Sequence, residues 1–387
     1  MSATKSTSLL CAKLVYDGSQ DVHIPEQMGK PRDDQMQGTP AEQLSELAGR
    51  VCYDSLGKGR PSFSRVHANY SGMNHLGGPR HGDHIEGYHD HILNVGHGSV
   101  LEHFNFTIEI DKFDDQSEVC AMDLGYSLLN RPGIFACCLS IDRIRITANL
   151  RSVLDFDRFS FDAEHGGGQA WEIGSALATA ANQLAPNVIK LPAKQTPLPW
   201  RLVEASEDEE RWVSLFLSGS RGFSHEQVRH KFRTAVSQRS TRYVDESESP
   251  WVEHPLIEDF IGDASETSIP FGRDCVIDSA QRAYSATVLE LESALTDRGV
   301  DKASARKQAR GAARGYLGNP LYTEMIFSAS TAQWRRMLVQ RCSDAADAEI
   351  RLIYNQVLGE LKSCRHGDRF ADMTLRPASD GIGMVLA

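Results

Sequence analysis

The sequence has no uninterrupted apolar run as long as the roughly 18 residues that a membrane-spanning helix needs. Its first residues, MSATKSTSLLCAKLVYDG, also lack the apolar core of a signal peptide. No CxxC pair occurs among the eight cysteines, and their spacing fits neither a zinc ribbon nor a disulfide framework. We therefore expect no membrane partner and a reducing, cytoplasmic location.

The sequence also lacks an excess of basic residues over acidic ones. The 387 residues carry 41 Lys and Arg against 52 Asp and Glu, which gives a formal net charge of −11. A general nucleic-acid binder needs a basic surface, so we expect no nucleic-acid partner. Hydrophobic residues make up 41% of the chain and charged residues 24%, ordinary values that argue against a collagen, a coiled-coil rod or a wholly disordered chain.

The hydrophobic pattern predicts both strands and helices, and no internal repeat of fixed period is evident. Strands are predicted over 8–16, 104–110 and 213–218. Helices are predicted over 40–55, 84–95, 278–297, 302–316 and 330–362, the last with a break near 343. Another helix is expected to start at Ser224, because Ser224 and Gln227 have the spacing of a capping box. Loops are predicted over 17–40, 56–82 and 244–275.

The stretch from about 111 to 210 is the least regular part of the sequence. It contains three consecutive glycines at 166–168, a proline-rich segment at 192–199 and four acidic residues at 207–210. Helices are expected near 149–156 and 170–184. We predict that this stretch is an insertion.

Two basic segments interrupt the acidic sequence. Residues 221–242 hold six Lys or Arg against one acidic residue, and residues 301–341 hold eight against two. Guanidinium groups bind phosphate in a bidentate manner, so these segments indicate anion sites. A solvated basic helix face is the alternative. The order of residues in the first segment, basic side chains followed by hydroxyls and amides, favours a nucleotide site.

That first segment, SHEQVRHKFRTAVSQRSTRY over 224–243, closely resembles the signature of the flavin-dependent thymidylate synthases. The family signature is Arg-His-Arg, a short spacer and a Ser followed closely by Arg-Tyr. Three further blocks agree in the same order. They are AGRVCY at 48–53, GHGSVLEH at 96–103 before FNFTIEI, and a last block between 313 and 350.

The resemblance implies an α+β fold, with a mixed sheet and long helices, in a single domain over 1–387. It also implies an enzyme, a methyltransferase that methylates dUMP at uracil C5 to give dTMP. FAD reduced by NADPH would be the cofactor and methylene-tetrahydrofolate the carbon donor, with no cysteine nucleophile. The active sites would lie between the subunits of a homotetramer.

The resemblance also implies roles for individual residues. Catalytic roles fall to Ser240, Arg341 and His97. Cofactor contacts fall to Ser99, Glu102, Arg229, His230 and Lys231. Substrate contacts fall to Glu226, Gln238, Ser240, Arg242, Arg314 and Arg341. No metal site is implied.

Several positions depart from the family pattern. Lys231 replaces the second Arg of the signature, which exchanges a planar fork for a point charge, and the spacer to Ser240 is one residue longer than the commonest form. Ser330 and Ala332 stand where the family commonly has Asn and Arg. A similar Asn-x-Arg occurs at 149–151, inside the expected insertion, and it either supplies the lost contacts or is a chance similarity. The sequence leaves open dUMP against another nucleotide such as UMP, and NADPH against NADH.

Two other functions remain open. Eight of the fourteen histidines lie between 67 and 103, namely His67, His75, His81, His84, His89, His91, His97 and His103. Because imidazole is a common metal ligand, a metal-dependent hydrolase is one alternative, although no HExxH motif occurs. A non-catalytic protein that binds a nucleotide or a flavin is the other.

Overall fold

The computed structural model describes residues 6–31, 35–56, 85–94, 97–111, 133–140, 142–159, 169–191, 199–263 and 269–387. The strands in these ranges are β1 (Cys11–Tyr16), β2 (Asn105–Asp111), β3 (Ile134–Ser140), β4 (Arg143–Asn149), β5 (Trp200–Val203), β6 (Trp212–Ser220), β7 (Thr234–Gln238), β8 (Tyr322–Ser330), β9 (Leu375–Pro377) and β10 (Met384–Leu386). Residues 57–82 of the loop predicted at 56–82, the glycines at 166–168 and residues 192–198 lie outside the described residues.

Ten α-helices lie in the same described ranges. They are α1 (Pro40–Tyr53), α2 (Ile85–Asn94), α3 (Leu150–Phe159), α4 (Gln169–Leu184), α5 (Arg221–Gln227), α6 (Pro255–Asp263), α7 (Ile269–Asp297), α8 (Lys302–Ala313), α9 (Thr331–Arg341) and α10 (Ala348–Ser363). No helix in the described part of the chain is both long and apolar enough to span a membrane.

The strands form two four-stranded sheets and a hairpin. The first sheet has the order β1-β6-β8-β7, the second has the order β3-β4-β2-β5, and β9 pairs with β10. Every described pairing is antiparallel. The α+β prediction is confirmed, whereas the predicted mixed sheet is wrong for the strands that the structure describes.

The predicted insertion shares a sheet with the strand that precedes it. β3, β4 and β5 come from this stretch, and β4 and β5 flank β2 on either side. The two helices expected here are present as α3 and α4. The three strands were not predicted.

Two apolar cores cover opposite faces of the first sheet. One joins Phe216 and Ile326 to residues of α1, α4 and the second sheet. The other joins Leu215 and Phe327 to α9 and α10, where Trp334 is fully buried. Alternate residues along β6 and β8 therefore enter different cores, as the pleat of a strand requires.

The starts of α1 and α5 show whether capping signals in the sequence predict where a helix begins. Thr39 caps α1 in a reciprocal capping box with Glu42, and Pro40 occupies the first helical position. The cap predicted at Ser224 is wrong, because α5 begins at Arg221 and Ser220 accepts a hydrogen bond from the Phe223 amide at 3.0 Å. The Ser224 hydroxyl instead donates to the Arg221 carbonyl within the helix.

Other boundaries differ by longer stretches. The long helix predicted to start at 278 begins at Ile269, and α6 lies inside the predicted loop at 244–275. β7 and β8 were not predicted. The break expected near 343 is present between α9 and α10.

Candidate active site

The loop after β7 carries three residues of the signature, and buried arginines fix its shape. Arg239 donates from Nη2 to Oε2 of Glu246 at 3.2 Å and to Oγ of Ser249 at 3.0 Å. Its Nη1 lies 3.5 Å from Oδ2 of Asp54, which follows α1. Burial alone would lower the pKa of Arg239, but Glu246, Asp54 and Glu324 together raise it. Arg239 is therefore a charged anchor of the loop.

A second buried arginine holds the same loop from α8. Arg310 donates from Nη1 to the Tyr243 carbonyl at 2.5 Å and from Nη2 to Oδ2 of Asp245 at 3.0 Å. The Tyr284 hydroxyl of α7 accepts the Glu246 amide at 3.3 Å. The second basic segment thus supports the loop as well as contributing surface charge.

Ser240 lies where this loop meets α1. Its amide donates to the Cys52 carbonyl at 3.0 Å, and its hydroxyl oxygen accepts the Arg242 amide at 3.3 Å. Ser240 is half-buried and Arg242 is exposed. The AGRVCY block and the signature are therefore adjacent in space.

His97 lies between two tyrosines that were not predicted as site residues. The Tyr53 hydroxyl contacts Nδ1 of His97, and the Tyr243 hydroxyl lies 3.4 Å from Nε2. The Tyr53 and Tyr243 ring centroids are 4.7 Å apart. Both tyrosines occur within the quoted motifs, next to residues that were assigned. We call Ser240, Arg242, Tyr243, Tyr53 and His97 the Ser240 cluster.

Arg221 and Arg314 lie at the same end of the first sheet. Arg221 donates from Nη1 to the Arg239 carbonyl at 3.5 Å, directly before Ser240. Burial and the nearby Arg314 charge both lower the pKa of Arg221. Arg314 is exposed. Arg221 belongs to the first basic segment but is not among the predicted site residues. Its position shortly after the predicted strand 213–218 is the sequence signal that could have identified it.

A second cluster forms where α5 meets the end of α9. Arg341 donates from Nε to Nε2 of His230 at 3.0 Å, pairs through Nη1 with the Glu226 carboxylate, and donates from Nη2 to the Glu226 carbonyl at 3.3 Å. Burial and the Arg341 charge lower the pKa of His230 to about 4. Arg229 and Lys231 are exposed on either side. We call Glu226, His230 and Arg341 the Arg341 cluster.

Helix α10 holds α5, and so the Arg341 cluster, in place. The Ser220 amide and hydroxyl each donate to the Glu349 carboxylate at 2.6 Å. The Tyr354 hydroxyl donates to Oε1 of Gln227 at 2.8 Å. Burial raises the pKa of Glu349, and the two Ser220 hydrogen bonds oppose that shift.

The two clusters lie at opposite ends of β7. His230 precedes this strand and Ser240 follows it, and five residues of extended chain span roughly 17 Å. The structure thus separates Arg341 from the other two predicted catalytic residues, Ser240 and His97. Gln238, at the last position of β7, donates to the Thr323 hydroxyl at 3.1 Å.

The predicted cofactor residues Ser99 and Glu102 lie on the 3-10 turn Gly98–Glu102 beside α3. Arg151 packs over this turn so closely that a Cβ atom on Gly98 would overlap its Nη1 atom. Burial raises the pKa of Glu102, whereas the Arg151 charge lowers it. Ser99 is exposed. Asn149 caps α3 by accepting the Ser152 amide at 2.7 Å.

The histidine-rich segment is only partly described. His67, His75, His81 and His84 lie outside the described residues. Within the described ranges, no group of three or more His, Cys, Asp or Glu side chains could hold a metal ion. His103 bonds instead to the hydroxyls of Ser328 at 2.7 Å and Ser237 at 2.9 Å, and burial lowers its pKa to about 3.

These features define a class: an α+β protein with arginine, histidine and hydroxyl clusters at both ends of a strand in an antiparallel sheet. The family model described as thymidylate synthase complementing protein matches residues 35–116 and 213–364, more than half of the chain. The matched stretches contain both clusters. The chain therefore belongs to this family, the flavin-dependent thymidylate synthases, as the sequence motifs predicted.

Curated relatives carry the same family name. The chain is 36% identical over 177 residues to a flavin-dependent thymidylate synthase of Mycobacterium marinum. It is 32% and 34% identical over 174 residues to those of Mycolicibacterium gilvum and Mycobacterium tuberculosis. Each alignment covers 45% of this chain and 66% of the relative, just under two thirds of that protein's length.

Proposed function

We propose that this chain methylates dUMP at uracil C5 to give dTMP, with FAD as cofactor, NADPH as reductant and methylene-tetrahydrofolate as carbon donor. The observation that carries this proposal is the Arg341 cluster. Its imidazole is kept neutral by burial and by Arg341, between the exposed cations Arg229 and Lys231. A neutral aromatic face flanked by cations suits a flavin nucleotide, which joins a flat ring system to phosphates.

The donor set fits FAD by its chemistry. Arg229 and Lys231 would bind the phosphates, and His230 would lie against the isoalloxazine ring. Bound and reduced, the flavin supplies the hydride that the methylation requires. The chain itself binds and orients: Glu226 fixes the Arg341 guanidinium, and Arg341 in turn fixes the imidazole through its Nε2 atom.

The Ser240 cluster is the proposed nucleotide end of the site. Arg242, Arg314 and Gln238 would bind the nucleotide, and the Ser240 hydroxyl, whose oxygen already accepts the Arg242 amide, can donate its proton toward the uracil. Cys52 of α1 accepts the Ser240 amide through its carbonyl, and burial raises the pKa of its thiol to about 11. Such a thiol is largely protonated at neutral pH, which supports chemistry without a cysteine nucleophile.

We also propose a homotetramer with active sites between subunits. The separation of the two clusters along β7 supports this arrangement, since a mononucleotide held by Ser240 does not reach Arg341 of the same chain. Phe232 is 62% exposed beside Arg229 and Lys231. An exposed aromatic ring among binding residues is typical of a surface that a partner covers.

The purified chain should show the absorption bands of a bound flavin and no stoichiometric zinc. Adding dUMP should perturb the flavin bands at lower concentration than UMP does. A metal without flavin would favour the hydrolase, and tighter binding of UMP would transfer the proposal to that nucleotide. Flavin binding with no product from either nucleotide would favour the non-catalytic protein.

A further inference from the structure

The two four-stranded sheets share one spatial strand order, although the edge strand β1 precedes the other strands of its sheet along the chain and the edge strand β5 follows those of its own. The order β1-β6-β8-β7 corresponds to β5-β2-β4-β3. Among the described strands, β6, β7 and β8 are consecutive along the chain, as are β2, β3 and β4, and a helix comes directly after the last strand of each set. We call β1, β6, β7, β8 and α9 the first unit, and β5, β2, β3, β4 and α3 the second unit.

The register of the strands also coincides. The first residue of β6 pairs with the last of β8 (Trp212 with Ser330), and the first of β2 pairs with the last of β4 (Asn105 with Asn149). The first residue of β7 pairs with the last but one residue of β8, Ala329. The first residue of β3 likewise pairs with the last but one residue of β4, Ala148. The third residues of β6 and β2 pair with the last residues of β1 and β5.

Side chains at equivalent positions make equivalent contacts. The Ser214 and Ser328 hydroxyls are 2.6 Å apart in the first unit, and those of Thr107 and Thr147 are 2.9 Å apart in the second. Ser330 caps α9 by accepting the amide three residues on, at 3.2 Å. Asn149 caps α3 in the same way at 2.7 Å. Sheet geometry alone does not require these matched hydroxyl pairs and helix caps.

The units also reach toward each other reciprocally. His103, two residues before β2, bonds to Ser237 and Ser328 in the first unit. Glu210, two residues before β6, lies 3.6 Å from Nη1 of Arg145 in the second unit. In each case the segment that leads into one unit contacts the sheet of the other.

We infer that the chain holds two copies of one folding unit, and that the second copy contributes a phosphate-binding arginine, Arg151, to the active site. This inference rests on the proposed function. By register, Arg151 of the second unit corresponds to Ala332 of the first. The Ala332 amide donates to the Asp208 carbonyl at 3.1 Å, and the Asp208 carboxylate pairs with Arg369 at 2.9 Å, so this end of α9 is covered.

The equivalent end of α3 carries a different set of neighbours. Arg151 donates from Nε to Oδ2 of Asp155 at 2.8 Å, which fixes the plane of the guanidinium. Its Nη1 atom lies over Gly98, next to the exposed Ser99 and one residue from His97 of the Ser240 cluster. Glu102 is the other carboxyl group nearby, and burial favours its neutral form. A guanidinium held through Nε offers its two Nη groups to a phosphate.

The phosphate belongs either to FAD or to the pyrimidine nucleotide, and two titrations of the full chain separate these sources. Arg151→Gln is titrated with FAD, followed by flavin fluorescence, and in its flavin-bound form with dUMP, followed by calorimetry. We expect one of the two dissociation constants to rise at least tenfold. Arg143→Gln, an exposed arginine on β4 of the same unit, is the matched control and should stay within twofold of the unchanged chain.

Gly98→Ala is the second variant, because its Cβ atom displaces the guanidinium while Arg151 remains. It should weaken the same ligand, and it should add nothing further in the Arg151→Gln background. If both dissociation constants stay within twofold of those of the unchanged chain in both variants, the role of Arg151 is overturned and the proposed function still stands. An unchanged chain that binds neither FAD nor dUMP would instead contradict the proposed function.

Discussion

Two histidines near the site are held neutral in different ways. His103 is fully buried and bonds to two serine hydroxyls, whereas His230 is half-buried and bonds to a guanidinium. Burial is the larger cause of the lowered pKa in both, and a neighbouring charge contributes only at His230. Single substitutions should therefore separate a structural histidine from a ligand-contacting one.

Replacing Arg341 should release His230. In Arg341→Gln we expect the pKa of His230 to rise from about 4 toward 6.5. The ring becomes more open to water, and the positive charge of Arg341 no longer disfavours a protonated imidazole. A pH titration of the imidazole by NMR measures this. Arg336→Gln, on the same helix but paired with Glu209, is the control. An unchanged pKa in Arg341→Gln would show that the contact at Nε2 has no influence on the ring.

Replacing Ser240 tests the other cluster. Ser240→Ala should lower the rate of methylation by a factor on the order of 100, as loss of one positioned donor does, while bound FAD is retained. Activity is measured by product formation and flavin content by absorbance. Loss of flavin together with activity would place Ser240 at the cofactor and not at the nucleotide.

At the scale of elements, the cap of α5 decides whether the Arg341 cluster is held. Ser220→Ala removes the cap on the Phe223 amide and the hydroxyl bond to the buried Glu349 carboxylate, which keeps only the bond from the amide of residue 220. We therefore expect a loss of about 2 kcal/mol in the free energy of unfolding. Ser224→Ala, at the cap that the sequence suggested, should cost less than about 1 kcal/mol. Urea denaturation of both variants compares the two positions, and equal losses would contradict the observed cap.

His103 links the 3-10 turn to β7 and β8, and its protonation should weaken that link. Its pKa is about 3 when folded and near 6.5 when unfolded, so the unfolded chain binds more protons between these values. Stability is therefore lost as the pH falls below about 6.5, by up to about 1.4 kcal/mol per pH unit. His103→Gln should show a shallower dependence in denaturation midpoints at pH 4 to 7. An identical slope would mean that the imidazole does not carry the effect.

The sequence predicted the elements whose signals are local. Thr39, Pro40 and a periodic apolar face were enough for α1, and alternation was enough for β2. All nine residues of β8 are buried, including Thr323, Glu324 and Ser328, so this strand has no alternating pattern to detect. Its state is decided by two flanking strands, and such pairing is a tertiary property.

The motifs likewise gave residue identities but not distances. Ser240 and Arg341 were grouped because a family resemblance assigns both to one nucleotide, yet β7 separates them in the chain. Tyr53 and Tyr243 are not predictable as site residues, because nothing along the sequence places two tyrosines against one histidine. The correspondence of the two units leaves little trace in the sequence, since Ala148 and Ala329 are among the few identical residues at matched positions.

At the scale of the whole molecule, the separation of the two clusters is the basis of the proposed assembly. If the site forms between subunits, light scattering should give the mass of a tetramer across a wide range of concentrations. Phe232→Asp should reduce that mass and the flavin content together, because an acidic side chain would stand among Arg229, Lys231 and the phosphates. A monomer that binds flavin and forms product at full rate would contradict the proposed assembly.

The central claim is that both clusters serve the methylation of one pyrimidine nucleotide. The most direct measurement incubates the full chain with FAD, NADPH, methylene-tetrahydrofolate and dUMP, and follows dTMP by mass spectrometry. We expect dTMP that disappears when FAD or the folate is omitted and that falls sharply in Ser240→Ala. Flavin-loaded, unchanged protein that forms no methylated nucleotide from dUMP or UMP would contradict it.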